Sequence, residues 1–279
     1  MENPFSFPVA SAIVGEMSGR VVTLLTDFGM RDGYVAAMKG VLATYAPGAI
    51  LMDAGHGIPP QNVFAASWAL CQYAWYFPEG TIHQVVVDPG VGTRRHALLV
   101  MADGRFFIGP DNGVLAMTVG RAEHRKLGVI KPEIHLPDHL SHTFHGRDVF
   151  SYAAALLASG TYGFDDLVNP LESMVSLPVP PVSQTSVSIS GSIIHIDGFG
   201  NLITNIREHD VQHLTGTPRE IAVTGSPVIQ RWVSTYGDMP EGELAALINS
   251  SGHVEIACNG SSAARKTRAT LGCVVEIRV

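Results

Sequence analysis

The sequence predicts an α/β fold. An N-terminal, mainly parallel sheet flanked by helices is followed by a small C-terminal all-β barrel domain. Three observations carry this. Through the first half, apolar strand-forming runs alternate with segments of helical period, the order of a parallel sheet covered by helices. A stretch from Asn169 to Ser183 holding Pro170, Pro178, Pro180 and Pro181 then marks a change of character. Beyond it come about five short strand candidates separated by Gly, Asn and Ser, as in a small barrel or sandwich. The expected division is an α/β domain over 20–170, a linker over 171–186 and a β domain over 187–279.

Taken in order, Val21 to Thr26 (VVTLLT) reads as a strand ending in Asp27-Phe28-Gly29. Val35, Met38, Val41, Leu42 and Tyr45 recur at helical spacing, and Pro47-Gly48 ends that helix. Ala49 to Asp53 reads as a second strand, and Val63 to Phe77 as an apolar helix stopped by Pro78. Val85-Val86-Val87 belongs to a continuous apolar strand, the signature of a buried parallel one, and it ends at Asp88. Ligands of open α/β sheets sit beyond the carboxyl ends of such strands. Asp103-Gly104 between two apolar runs signals a hairpin. Val149 to Ser159 reads as a short helix that Asp148 or a neighbour can cap. In the second half, strands are expected at Val187 to Asp197, Ile221 to Val223, Glu243 to Ile248, Val254 to Cys258 and Cys273 to Val279, with no helix.

Of 279 residues, 46% are apolar and 15% charged, which suits a sizeable core. A net charge of −7 argues against nucleic acid, whose binding rests on neutralising phosphates, and against an anionic membrane surface. It is compatible with a cationic small substrate. Cys71, Cys258 and Cys273 are odd in number and far apart, which is neither a disulfide framework nor a zinc motif. The first 20 residues lack the basic region of a signal peptide, and no apolar run is long enough for a membrane span. A cytoplasmic protein with a loose N-terminal tail is expected.

Several residues invite both a chemical and a structural reading. Asp27 and Asp32 follow the first strand, where an acid can hold a ribose diol or simply cap the next helix. There is no GxGxxG fingerprint. His135, His139, His142 and His145, with Asp138 and Asp148, suggest a metal site at first sight. Pro137 breaks any helix that would align them, and no HExxH pattern supports it, so no metal is expected. His145 precedes the helix that follows it; the positive end of a helix disfavours imidazolium, leaving a neutral ring that can accept a proton, or the ring simply makes a helix-entry hydrogen bond. Asp197 to Asn205 interrupts a strand with glycines, an aromatic ring and amides. That is a bulge or tight turn, or a surface that stacks on a planar base and reads its edge. The Asn249–Gly252 and Cys258–Ser261 stretches read as turns first and ligand loops second.

Six motifs, TDFG at Thr26–Gly29, YVAAMKGV at Tyr34–Val41, DPGVGTRR at Asp88–Arg95, GPDNG at Gly109–Gly113, FHGRD at Phe144–Asp148 and DGFGNLITNI at Asp197–Ile206, occur in one order. Together they resemble the S-adenosyl-L-methionine (SAM) hydroxide adenosyltransferases, or adenosine-forming SAM hydrolases, relatives of the SAM-dependent halogenases. The resemblance runs from about Val21 to the C-terminus. It implies hydrolysis of SAM to adenosine and L-methionine, no cofactor, and a homotrimer with each active site between the N-terminal domain of one subunit and the C-terminal domain of the next. It further implies a catalytic set of Asp88, Arg95 and His145, with Asp27 on the ribose. Phe199, Asn201, Tyr236 and the Asn259-Gly260 loop fall to adenine, and Asp197 and Ser250 to the methionine end. The family's arginine contact to adenine falls on Cys258 here.

A sulfonium substrate loses a neutral thioether, so the demand is on delivering water to the ribose 5′ carbon. Arg95, His145 and Asp88 are expected to hold that water, with His145 taking its proton. The rival readings are a halogenase, which would need a small dry halide pocket and no base, and a SAM or adenosine sensor, for which the Asp-Arg-His set is surplus.

Overall fold

A computed structural model describes residues 19–138, 140–216 and 218–279. The expected loose tail, apart from its last residues, and His139 lie outside the described residues. The chain divides between Leu177 and Pro178 into two compact units.

The first unit opens with β1 (Val21–Thr26), α1 (Tyr34–Tyr45), β2 (Ile50–Gly55) and α2 (Val63–Tyr73), which runs into a 3₁₀ turn, then β3 (Ile82–Val86). The helix expected to reach Phe77 thus tightens at Ala74. Next come β4 (Ala97–Ala102), β5 (Arg105–Pro110), α3 (Ala116–Val119) and β6 (Arg125–Ile130). A π-helical turn over Gly146–Ser151 leads into α4 (Tyr152–Ala158), followed by α5 (Phe164–Leu167) and β7 (Val168–Pro170).

The sheet order is β2-β1-β3-β5-β4-β6-β7. The pairs β1–β2, β1–β3 and β3–β5 are parallel, whereas β4–β5, β4–β6 and β6–β7 are antiparallel. The α/β class holds, with the sheet mixed: its parallel half carries the motifs and the antiparallel half extends it. The Asp103-Gly104 turn has positive φ at both residues (41° and 75°), the geometry a two-residue hairpin needs.

Alternate residues of the buried strands feed two cores, one on each face. Leu24 and Val86 pack with Met38 and Leu42 of α1 and Phe150 to Leu157 of the later helix. Leu25, Val85 and Val87 pack with Ala66 and Leu70 of α2. That double burial is why these strands are unbroken apolar runs.

The second unit holds β8 (Ser183–Gln184), β9 (Ser188–Ile196), β10 (Leu202–Arg207), α6 (Glu208–Gln212), β11 (Glu220–Val223), β12 (Leu244–Ile248), β13 (His253–Cys258), α7 (Ala263–Thr267) and β14 (Val274–Arg278). The antiparallel order β11-β14-β9-β10-β13-β12 is barrel-like, with β8 beside β9. The edges are bridged by one extended segment: Ile229 pairs with Ile221 of β11, and Trp232 with Ala246 of β12. Closure in this way removes exposed edges. The five expected strands are present; two are additional, β8 within the expected linker and β10, paired with β9 across the Asp197–Asn201 turn. The two short helices α6 and α7 correct the expectation of none. At five residues each they are too short to show a helical period.

Candidate active site

The chain passes from β1 to β2 on one side and from β3 to β4 on the other, so the connections leave the carboxyl ends of β1 and β3 in opposite directions. The crevice between the carboxyl ends of β1 and β3 is therefore a topological switch point, where open α/β sheets take ligands. Asp27 follows β1 there, and Val87-Asp88 follows β3.

Asp88, Arg95 and His145 converge at that point. Arg95 Nε donates to both Asp88 oxygens at 3.0 Å, and Nη2 donates to Oδ2 at 2.5 Å. The same Nη2 lies 3.0 Å from His145 Nδ1. A guanidinium only donates, so Nδ1 must be the unprotonated nitrogen and the proton of the neutral ring sits on Nε2. The Asp88 and Arg95 side chains are largely buried, 6% and 10% exposed, and the Arg95 guanidinium lies over the Phe150 ring. Burial, then the Arg95 charge, push the His145 pKa below its ordinary 6.5, although Asp88 pulls the other way. The imidazole is thus held neutral to a lower pH than a free one. Replacing Arg95 with alanine should raise the His145 pKa, read by NMR titration of the ring; an unchanged or lower pKa contradicts this electrostatic coupling.

Glycines and buried amides shape the loop around this set. Gly92 has φ +77°, and a Cβ there would meet the His142 carbonyl at 2.5 Å, so the loop can lie against the segment bearing His145 only without one. Asn112 of the GPDNG turn donates to the Val87 carbonyl at 2.9 Å, fixing the strand end. Gln84, buried on β3, donates to Gly146 O and Ser151 Oγ and ties the π-helical turn to the sheet. A Cβ on Gly146 would come within 3.1 Å of Val86. Asp148 does not cap this helix. Its carboxylate takes Arg147 (2.6 and 3.1 Å) and the Ser141 N–H (2.7 Å) instead, and it is fully buried.

Asp27 is not a helix cap either. The residue before α1 is Gly33, with no side-chain cap, while Asp27 Oδ2 accepts the Gln61 N–H at 2.7 Å. Asp32 is exposed. Phe28 and Tyr34 from the β1 side meet Phe144, next to His145, at ring separations of 5.3–5.9 Å. Sequence reasoning missed a buried support beneath this loop. His56 bridges Thr26 Oγ1 and Asp53 Oδ1, each at 2.9 Å, and Lys39 closes on the same Asp53. A histidine directly after a strand is the signal that was available.

The His-rich segment does not gather. His135 Nδ1 lies against the Leu136 carbonyl, and among the described residues no three His, Cys, Asp or Glu side chains form a metal-binding group.

In the second unit, Asp197, Phe199, Asn201, Tyr236, Cys258 to Ser262 and Arg265 line an open cavity of about 530 Å³. Asp197 Oδ1 accepts the Phe199 and Asn201 N–H groups, and Oδ2 accepts from the Asn201 side chain, so the turn is rigid. Gly200 (φ +86°) has no room for a Cβ against Ser262. Phe199 is 83% exposed, an aromatic face offered to solvent. Gly260 lines the cavity at φ +69°. Ser250 is exposed on the neighbouring turn and is not part of the cavity wall. Glu255, which sequence reasoning passed over, is buried behind Tyr236 and accepts its hydroxyl at 2.7 Å. An acid amid the apolar run of β13 was its signal.

The model of the SAM hydroxide adenosyltransferase N-terminal domain matches residues 22–167, and that of the C-terminal domain residues 191–276. The chain belongs to this family. An (R)-S-adenosyl-L-methionine hydrolase from Thermus thermophilus is 38% identical over 254 residues, 88% of this chain and 94% of that one. Its counterpart from Salinispora tropica is 36% identical over 251 residues, 87% and 92% of the two chains. The crystal structure of an uncharacterized conserved protein from Thermotoga maritima superposes with a TM-score of 0.85 at 30% identity, covering 92% of this chain and all of that chain. Both family domains therefore account for the two units, and the α/β and β architecture is that of a solved relative.

Proposed function

We propose that this protein hydrolyses SAM to adenosine and L-methionine, by in-line attack of one water on the ribose 5′ carbon. The observation that carries the reading is the closed Asp88–Arg95–His145 set at the switch point. Water oxygen bonds to C5′ as the C5′–S bond breaks, and its electron pair leaves with sulfur as the neutral thioether of methionine. The water proton goes to His145 Nδ1, the lone pair that Arg95 holds at rest, while the Arg95 N–H turns to the incoming oxygen. Asp88 fixes the guanidinium through two N–H groups, a geometry lysine cannot reproduce. A positioned base contributes about 10²–10⁴-fold. Holding water and substrate in line contributes up to roughly 7–11 kcal/mol, so positioning is the larger effect.

Asp27 is assigned to the ribose hydroxyls. Phe199, Asn201, Tyr236 and Gly260 are assigned to adenine, and Asp197 and Ser250 to the methionine end. Three of the four or so acceptor sites of Asp197 are used within its own turn, leaving one for an ammonium. The family resemblance supports a homotrimer whose sites pair an N-terminal unit with the C-terminal unit of the next subunit, and three scattered cysteines that form no disulfide suit the reducing cytoplasm. Among the described residues no helix is long and apolar enough to cross a membrane.

The test is turnover of SAM in ¹⁸O-water. Adenosine and methionine should appear in equal amounts, with the label in the adenosine 5′ hydroxyl and none in methionine. Label in methionine, or a 5′-halo-adenosine formed in proportion to added halide, would overturn the assignment.

A further inference from the structure

We infer that Glu255 is the residue that selects a sulfonium over a neutral thioether, by placing a buried negative charge behind the middle of the bound ligand. This rests on the SAM reading above and deepens it. The Glu255 side chain is nearly inaccessible, the whole residue being 3% exposed, on β13 within the barrel wall. Its partners are neutral: the Tyr236 hydroxyl on Oε1 at 2.7 Å and the Asn249 amide on Oε2 at 3.2 Å. The charge that acts on it is a second acid, Asp197, and that repulsion, after burial, pushes its carboxyl up. Tyr236 is pushed up as well, by burial and then by Glu255.

A buried carboxylate without a cation is costly, and a glutamine of the same shape could accept from Asn249 and donate to the Tyr236 hydroxyl oxygen without that cost. The charge therefore needs a partner that arrives from outside. Its position says which part of the ligand that is. Tyr236 belongs to the nucleoside wall of the cavity, and Asn249 anchors the turn that carries Ser250, through its Oδ1 bonds from Ser251 and His253. Glu255 is hydrogen-bonded to both, so it lies between the nucleoside end and the amino-acid end. In SAM the atom between those ends is the positively charged sulfur. Attraction of a charge pair through a protein interior persists across several ångströms, so direct contact is not required. After hydrolysis neither product carries a sulfonium, and the same charge no longer retains them.

The experiment compares SAM with S-adenosyl-L-homocysteine, which differs in lacking the methyl group and the charge on sulfur. Dissociation constants of both are measured for the full chain by calorimetry under conditions of slow turnover. Glu255→Gln should weaken SAM so that the preference for SAM over the thioether falls about tenfold, with the thioether little changed. Tyr236→Phe removes the hydroxyl contact and keeps the acid, and should leave that preference within about twofold of the wild type. Equal weakening of both ligands by Glu255→Gln, or an equal loss of preference in Tyr236→Phe, would overturn the charge role. A wild-type chain that binds neither ligand would instead sink the SAM reading itself.

Discussion

Arg95→Ala lowers turnover of bound SAM by about 10²–10⁴-fold and leaves the affinity for SAM within about threefold. The reason lies in what Arg95 touches. One guanidinium holds Asp88 through three contacts and reaches His145 through the same Nη2, so it is the only member of the set bonded to both others. Without it, Asp88 becomes a buried carboxylate lacking its counter-charge, and His145 loses the contact that fixes its ring. None of the three lines the cavity assigned to the base, so ground-state binding is spared while alignment of the water is lost. Arg95→Lys should recover little, because an ammonium cannot present the planar fork that spans a carboxylate and an imidazole. Rapid-quench single turnover gives the chemical step, and calorimetry on the slow variant gives affinity. If affinity collapses while bound SAM still turns over at the wild-type rate, Arg95 is a binding residue and the mechanism above fails.

The elements around that set were legible because double burial leaves a strong trace. Val85 to Val87 feed both cores, so their strand is unbroken and apolar, and Asp88 stands out where it stops. The glycines of DPGVGTRR were legible as a turn, yet the reason for Gly92, the nearby His142 carbonyl, is a contact 50 residues away in sequence. Non-local contacts of this kind leave no periodicity. The same holds for β6 and β7, where Gly128 makes room for Val168, and for the Ile229–Trp232 closure of the barrel, which rests on isolated bridges. Asp148 read as a cap by its place before an apolar run; the pairing with Arg147 that takes it out of that role is a choice of rotamer, invisible in sequence. Buried polar groups were the commonest blind spot. His56, His83 and Glu255 each sit within or beside strand-like segments, where an isolated polar residue reads as solvent-facing until the second face of the sheet proves to be covered too.

His83 shows what such a group does to stability. Acidification from pH 7 should destabilise the wild-type chain more than a His83→Phe variant, the gap reaching about 3 kcal/mol at about pH 4.5. The imidazole is fully buried on β3, stacked on Phe107 at 5.1 Å and edged by Tyr73 and Phe77, with Nδ1 2.8 Å from Thr23 Oγ1. Burial first, and then the Arg105 charge, drive its pKa down to about 3. The folded chain therefore leaves this ring neutral through mild acid, while the unfolded chain protonates it below its ordinary 6.5. Between those two values the unfolded state binds the extra proton, so stability drops as pH drops. Each pH unit inside that window costs at most about 1.4 kcal/mol. Phenylalanine keeps an aromatic ring against Phe107 but cannot take a proton, and Thr23 retains the Tyr73 hydroxyl at 3.4 Å. The variant should thus be weaker at neutral pH, by about 1–2 kcal/mol for the lost hydrogen bond, and overtake the wild type in acid. Denaturant unfolding of both chains from pH 7.5 to 4.5 reads this directly, since every other titrating group is shared and cancels in the difference. Parallel stability curves across that range would mean that the folded state protonates His83 as readily as the unfolded one, which a ring sealed between three aromatic side chains beside a guanidinium has no physical reason to do.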